Sequence, residues 1–264
     1  MPPILLREIP REIIEHSGTV KSIRFPRQGH TSDVGIIECA HGRFVLKRAK
    51  GEQYCAWLSK EVGVLACLHS GAALPVPRVY RFVEQKEESQ SWALLQCFEG
   101  ETLREALTKE NSADKKQELI FRFGASLAQI HAALCPEALV GDADWLDDML
   151  RKAEFNLARY ATDGTAELLE LLKRSKPAPI ENTLIHGDFT LDNALVHDGS
   201  ITGIIDWSGG AFGDPRYDVS LAVRPKPGAM ETDAEREAFF EGYGRKIISE
   251  REYRYFENGL YEFF

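Results

Sequence analysis

The spacing of apolar positions changes period several times along the chain. Between Val20 and Glu38 apolar and polar residues mix, broken at Gly29 and Gly35 with the small polar Thr31 and Ser32 between them. That pattern predicts two strands joined by a short polar loop running from Gly29 to Gly35. His41-Gly42 marks a turn, and Arg43–Arg48 reads as a short strand. From Glu52 to His69 the period becomes helical, with Trp57, Leu58, Val62, Leu65 and Leu68 at steps of three and four. Gly71, Pro75 and Pro77 close that helix. Trp92–Phe98 is a nearly continuous apolar run, as expected of a strand buried on both faces. Gly100 follows it, and a boundary is expected near Cys97–Gly100.

Beyond that boundary the pattern is mainly helical. Lys115–Leu134 places Leu119, Phe123, Leu127, Ile130 and Leu134 on one face. Trp145–Tyr160 and Thr165–Arg174 are further helices, and Lys176–Pro179 breaks the run. A strand-rich stretch spans Asn182–Trp207, and Glu231–Phe264 returns to helix. The expected class is α+β and two-lobed: a small β-rich N-terminal lobe over residues 1–98 and a larger, mainly helical lobe over 99–264.

Composition narrows the choice of partner. The 264 residues carry 32 basic and 41 acidic side chains, a formal charge of −9 at pH 7. That balance argues against a nucleic-acid backbone as ligand and allows a cationic one. No apolar run approaches the ~18 residues of a membrane span, and the start, MPPILLREIPRE, lacks the basic-then-apolar signal of secretion. The five cysteines are odd in number and form no C-x-x-C pair, so free thiols in a reducing, cytoplasmic setting are expected. No obligate protein partner is evident.

The chemistry concentrates in Leu184–Asp218, LIHGDFTLDNALVHDGSITGIIDWSGGAFGDPRYD. Asp198-Gly199 between two short apolar runs, Ala194–Val196 and Ile201–Ile205, is a strong hairpin signal. In such a hairpin Asn193 falls roughly opposite Ile204, and Asp206 lies ~7 Å further along the strand. A carboxamide and a carboxylate then meet at one hairpin end, just beyond the Asp188 loop, a set of hard oxygens suited to Mg²⁺.

An aspartate, four residues, an asparagine, a hairpin and an apolar strand ending in aspartate resembles the catalytic core of the protein-kinase-like phosphotransferases. The wording HGD-x4-N, IIDW and GDPRYD resembles the aminoglycoside phosphotransferase family. So do VLK at Val45–Lys47, the helix bearing Glu61, LPVPRV at Leu74–Val79 and LLQCFEGETL at Leu94–Leu103. The closing LYEFF is similar to the end of the 3′-phosphotransferase branch.

The resemblance implies a kinase-like fold and Mg²⁺-dependent transfer of the γ-phosphoryl group of ATP or GTP to a small-molecule hydroxyl. Asp188 would be the catalytic base, Asn193 and Asp206 the Mg²⁺ ligands. Lys47 would hold the α- and β-phosphates, oriented by Glu61. Gly29–Ser32, with Thr31 and Ser32, would take the place of the phosphate-covering loop. The backbone of Gln96 and Phe98 would bond the adenine, and Glu262 and the Phe264 carboxylate would contact a cationic acceptor. An aminoglycoside antibiotic is the first expectation. Another antibiotic or a metabolic alcohol is the alternative, and a nucleotide-binding pseudoenzyme a third. In the 3′ branch acids follow the YD-x4-VR stretch, whereas here that stretch reads Pro225-Lys226-Pro227-Gly228-Ala229. Only eleven residues separate Asp206 from Asp218, too few for the activation segment of a protein kinase.

Plainer roles compete at several positions. His186 and His131 sit in apolar settings and read as structural. Asp214, before Pro215, reads as a turn former, and Asp218 as the anchor of a helix start or of the catalytic loop. Lys47 competes with Arg48 and Lys50. Glu61 lies at the edge of its helix's apolar stripe, where a carboxylate needs a cation. Asp142, Asp144, Asp147 and Asp148 suit either a solvated face or a cationic substrate.

Overall fold

The computed structural model describes residues 3–26, 28–29, 31–69 and 74–264. Gly71, expected to end a helix, and His30, inside the expected phosphate-covering loop, lie outside the described residues. The chain divides into two units, Met1–Glu99 with Gly203–Ser208, and Gly100–Thr202 with Gly209–Phe264. The first is β-rich and the second mainly helical, an α+β chain.

The first unit holds α1 (Arg11–Ser17), β1 (Val20–Arg24), β2 (Asp33–Cys39), β3 (Gly42–Lys50), α2 (Glu52–His69), β4 (Val79–Gln85) and β5 (Gln90–Gln96). The strands form one antiparallel sheet in the order β1-β2-β3-β5-β4. Side chains alternate across β3. Phe44 and Leu46 join Ile37, Trp92 and Leu94 in a core closed by Ile4, Ile9 and Ile13 from the N-terminal segment. Lys47 turns to the other face, where it meets α2. β5 is buried through Ser91–Leu95, as its unbroken apolar run requires.

Two expectations need correction. Gly35 is not a break but lies inside β2, paired with Leu46. It is glycine because a Cβ there would sit 2.6 Å from Ile23 Cδ1. The buried stripe of α2 is Leu58, Glu61, Val64, Leu65 and Leu68, so Glu61 is at its centre rather than its edge. β4 and α1 were not legible in the pattern. β4 is an edge strand whose residues are at most half buried, so its alternation is weak.

The second unit holds β6 (Glu101–Thr102), α3 (Leu103–Lys109), α4 (Ala113–Ala132), α5 (Trp145–Arg159), α6 (Ala166–Arg174), β7 (Thr183–Ile185), β8 (Ala194–His197) and the start of β9 (Ser200–Ile204). β10 (Ala211–Gly213), α7 (Pro215–Ala222), α8 (Asp233–Tyr243), α9 (Glu250–Phe256) and a 3-10 turn at Leu260–Phe263 complete it. β8 and β9 are joined by Asp198-Gly199, both at positive φ (48° and 71°), the two-residue turn that the dipeptide favours. The expected C-terminal helix is two helices, because Gly244 ends α8 in the left-handed region. Leu134, expected on the apolar face of its helix, lies past the end of α4 and is exposed. Asp214, expected in a turn before Pro215, caps α7 by accepting from Arg216 N, with Pro215 at its first position.

The acidic run proves to be helix punctuation. Asp144 caps α5 by accepting from Asp147 N at 3.0 Å. Asp147 pairs with Lys176 and Asp148 with Lys152. Carboxylates in a first turn also suit the helix dipole.

Candidate active site

In the first unit three charged groups converge. Lys47 Nζ lies 2.7 Å and 2.9 Å from the two oxygens of Glu61 and 3.5 Å from Asp206 Oδ1. Burial disfavours the ammonium, yet Asp206 and Glu61 outweigh it and hold Lys47 above the usual lysine range. Asp206 follows β9 with φ +67° and keeps a partly exposed carboxylate, 40% accessible. The competing cations are committed elsewhere. Arg48 is buried on the opposite face, bonded to Asp33 at 2.8 Å and Glu8 at 2.9 Å, with its guanidinium 5.1 Å from the Trp92 ring centroid. Lys50 is exposed.

Thr31 and Ser32 lie half-buried just before β2. Their loop is clamped by Gln28, whose side chain accepts from Val34 N at 2.8 Å and donates to Val34 O at 3.0 Å. Gln96 ends β5 with its N–H already given to Arg78 O at 2.8 Å. The Phe98 ring packs against Gly203.

In the second unit β7 delivers His186-Gly187-Asp188 to a loop held from below. Asp218, fully buried in α7, accepts from the backbone N–H of His186 at 2.6 Å and of Gly187 at 2.7 Å. Gly187 has φ +81°, and a side chain there would overlap the backbone of Gly209. His131 Nε2 lies 3.2 Å from Asp218, and its Nδ1 lies 2.8 Å from the Tyr243 hydroxyl. His186 Nδ1 accepts from Asp188 N at 3.1 Å. Both histidines are therefore structural, as is Asp218.

The Asp188 carboxylate is held at both oxygens. Asn193 Nδ2 donates to Asp188 Oδ2 and to its carbonyl, each at 2.8 Å. The Tyr261 hydroxyl donates to Asp188 Oδ1 at 3.2 Å. With its amide hydrogens spent on Asp188, Asn193 keeps Oδ1 as an acceptor.

Tyr261 is also one wall of a cavity of about 710 Å³ lined by Asp163, Glu257, Glu262, Arg224 and Lys226. The exposed C-terminal Phe264 lines it too. Burial, with Asp163 and Glu257 nearby, raises the Glu262 carboxyl above its ordinary value. Arg224 Nε lies 2.6 Å from Glu257 Oε1. Lys226 forms no ion pair among the described residues, and burial together with Arg224 and Arg104 pulls its ammonium below the lysine range. Of these groups, the family resemblance implied Glu262 and Phe264 as acceptor contacts, and Lys226 was noted only as part of the stretch that departs from the 3′ branch. Tyr261 sits within the same LYEFF segment and could have been found there. Asp163 and Glu257 carry no local signal.

A family model described as the phosphotransferase enzyme family, APH, matches residues 22–256. This chain belongs to that family. The matched span contains Lys47, Glu61, Asp188, Asn193 and Asp206, while Tyr261, Glu262 and Phe264 lie beyond it. An aminoglycoside 3′-phosphotransferase of Niallia circulans is 33% identical over 98% of this chain and 98% of its own length. A hygromycin-B 4-O-kinase of Escherichia coli is 27% identical over 57% of this chain, a match spanning about half of that protein, 48%. Among solved structures, the apo form of a thermostable mutant of aminoglycoside phosphotransferase APH(4)-Ia superposes with a TM-score of 0.69 at 23% identity, over 94% of this chain and 87% of that one. The fold is therefore that of the kinase-like aminoglycoside phosphotransferases.

Proposed function

We propose that this chain moves the γ-phosphoryl group of ATP or GTP to a hydroxyl of a small cationic acceptor, an aminoglycoside first. The observation that carries the reading is the Asp188 carboxylate, fixed by Asn193 and reached through Tyr261 from a cavity edged with carboxylates. The Asp163 and Glu262 carboxylates suit the ammonium groups of such an acceptor. The 33% identity to an aminoglycoside 3′-phosphotransferase over nearly the whole chain supports the same class.

In this reading Asp188 receives or directs the acceptor's hydroxyl proton. The acceptor oxygen bonds to the γ-phosphorus as the bond to the β-phosphate oxygen breaks. Lys47, held by Glu61, contacts the α- and β-phosphates. Thr31 and Ser32 cover the phosphates, and the backbone of Gln96 and Phe98 meets the base. The proposed donors are hard oxygens, the chemistry Mg²⁺ takes. Asn193 and Asp206, one from each unit, are the proposed ligands, each a side-chain oxygen of the kind Mg²⁺ takes beside phosphate and water. Bound there, Mg²⁺ would neutralise charge on the transferring phosphates. No helix among the described residues is long and apolar enough to cross a membrane. The reading places the enzyme in the cytoplasm, with no nucleic acid, membrane or obligate protein partner.

A second reading, a kinase of the same fold for another antibiotic or a metabolic alcohol, is favoured by Lys226. A cation in the acceptor cavity repels an ammonium and suits a neutral or anionic group. Nucleotide consumption, coupled to a colour change and run with ATP and then GTP in Mg²⁺, tests both across aminoglycosides and other hydroxyl compounds. Turnover that requires an aminoglycoside is the expected result. Turnover with another alcohol alone selects the second reading, and silence on every acceptor with nucleotide still bound overturns both.

A further inference from the structure

The geometry points to Tyr261 as a positioning residue for Asp188, an inference that rests on the proposed phosphotransfer. The Tyr261 hydroxyl donates to Asp188 Oδ1 at 3.2 Å, while Asn193 holds Oδ2 at 2.8 Å. A carboxylate oxygen has two lone pairs, so Oδ1 can accept from Tyr261 and from an acceptor hydroxyl together. Two donors on two oxygens fix the plane of the carboxylate.

The tyrosine is itself held firmly. The Arg224 guanidinium lies 4.4 Å from its ring centroid, and Arg224 pairs with Glu257 at 2.6 Å. The 3-10 turn that carries Tyr261 is tied to its surroundings by Gly164 N donating to Glu262 O at 2.8 Å and by Asn156 Nδ2 donating to Phe263 O at 2.9 Å. Burial, with the Asp188 charge beside it, keeps the phenol protonated far above neutral pH, so it remains a donor throughout the working range. Tyr261 is thus at once a wall of the acceptor cavity and a ligand of the reacting carboxylate. It transmits the position of the acceptor-binding C-terminal turn to the chemistry.

Tyr261→Phe tests this, because it keeps the ring under Arg224 and removes the hydroxyl that meets Asp188 and Arg224. The expected result is a kcat about tenfold lower, with nucleotide KM unchanged, acceptor KM changed less than threefold and the melting temperature close to that of the parent. A purely structural tyrosine would shift the melting temperature and leave kcat alone. A kcat within twofold of the parent, or a loss confined to acceptor KM, overturns the inference while leaving the phosphotransfer reading intact. A parent enzyme silent on the whole acceptor panel overturns the reading and this inference with it.

Discussion

Lys47 and Glu61 form a two-point ion pair, 2.7 Å and 2.9 Å, with both side chains buried. Removing one partner of such a pair leaves a buried charge unsatisfied, at a cost of about 3–5 kcal/mol. Glu61→Gln leaves Lys47 with Asp206 as its remaining carboxylate, so the loss should fall at the lower end of that range. It should also raise nucleotide KM, because the ammonium swings toward Asp206. Guanidinium unfolding and a nucleotide titration on the variant check this; parental stability and KM together would contradict it.

Asp218 anchors the loop that carries Asp188 through two backbone N–H groups and His131. Asp218→Asn turns an amide NH₂ toward at least one of those donors. Hydrogen bonds to a charged group contribute about 1.5–3 kcal/mol, and an unfolding free energy lower by about that amount, with a lower midpoint, is expected. Activity should fall as well, since the loop loses its hold. An unchanged midpoint would show that Asp218 is not the anchor.

Much of this was legible in the chain because it is local. The three- and four-residue period gave α2 its bounds, the apolar run gave β5, and Asp198-Gly199 gave the hairpin. The pairing of Lys47 with Glu61 could be argued because a carboxylate facing a core needs a cation. What escaped depends on contacts distant in sequence. Tyr261 reaches Asp188 across 73 positions. Gly35 looked like a strand breaker until Ile23 was seen against it. The acids of the cavity, Asp163 and Glu257, come from separate elements and share no spacing. Asp144 to Asp148 suited a solvated face or a substrate surface equally, because capping and cation binding draw on the same residue type.

The Glu262 carboxyl makes stability depend on pH. Its folded pKa is raised by burial and by Asp163 and Glu257. The folded protein therefore keeps that proton longer than the unfolded chain does. The stability this contributes is complete below the unfolded value of about 4.3 and is lost as pH rises through the folded value. Glu262→Gln has no such proton to lose. Its melting temperature relative to the parent should rise between pH 4 and pH 8, while KM for amine-bearing acceptors increases. A difference that stays flat with pH would refute the linkage.

Helices α4 and α8 meet through two glycines. A methyl group on Gly242 would overlap the carbonyl of Phe121, and one on Gly124 would overlap that of Phe239. Backbone cannot yield as a side chain does, so Gly242→Ala should destabilise by about 1–3 kcal/mol. Thermal unfolding measures it directly, and a gain in stability would contradict the close packing.

The most direct test of the account is Asp188→Ala, assayed for kcat with a productive acceptor and, separately, for nucleotide affinity by calorimetry. The account predicts a kcat lower by orders of magnitude with nucleotide affinity unchanged, since the carboxylate meets the acceptor hydroxyl. A near-parental kcat would remove Asp188 from the chemistry and with it the mechanism proposed here.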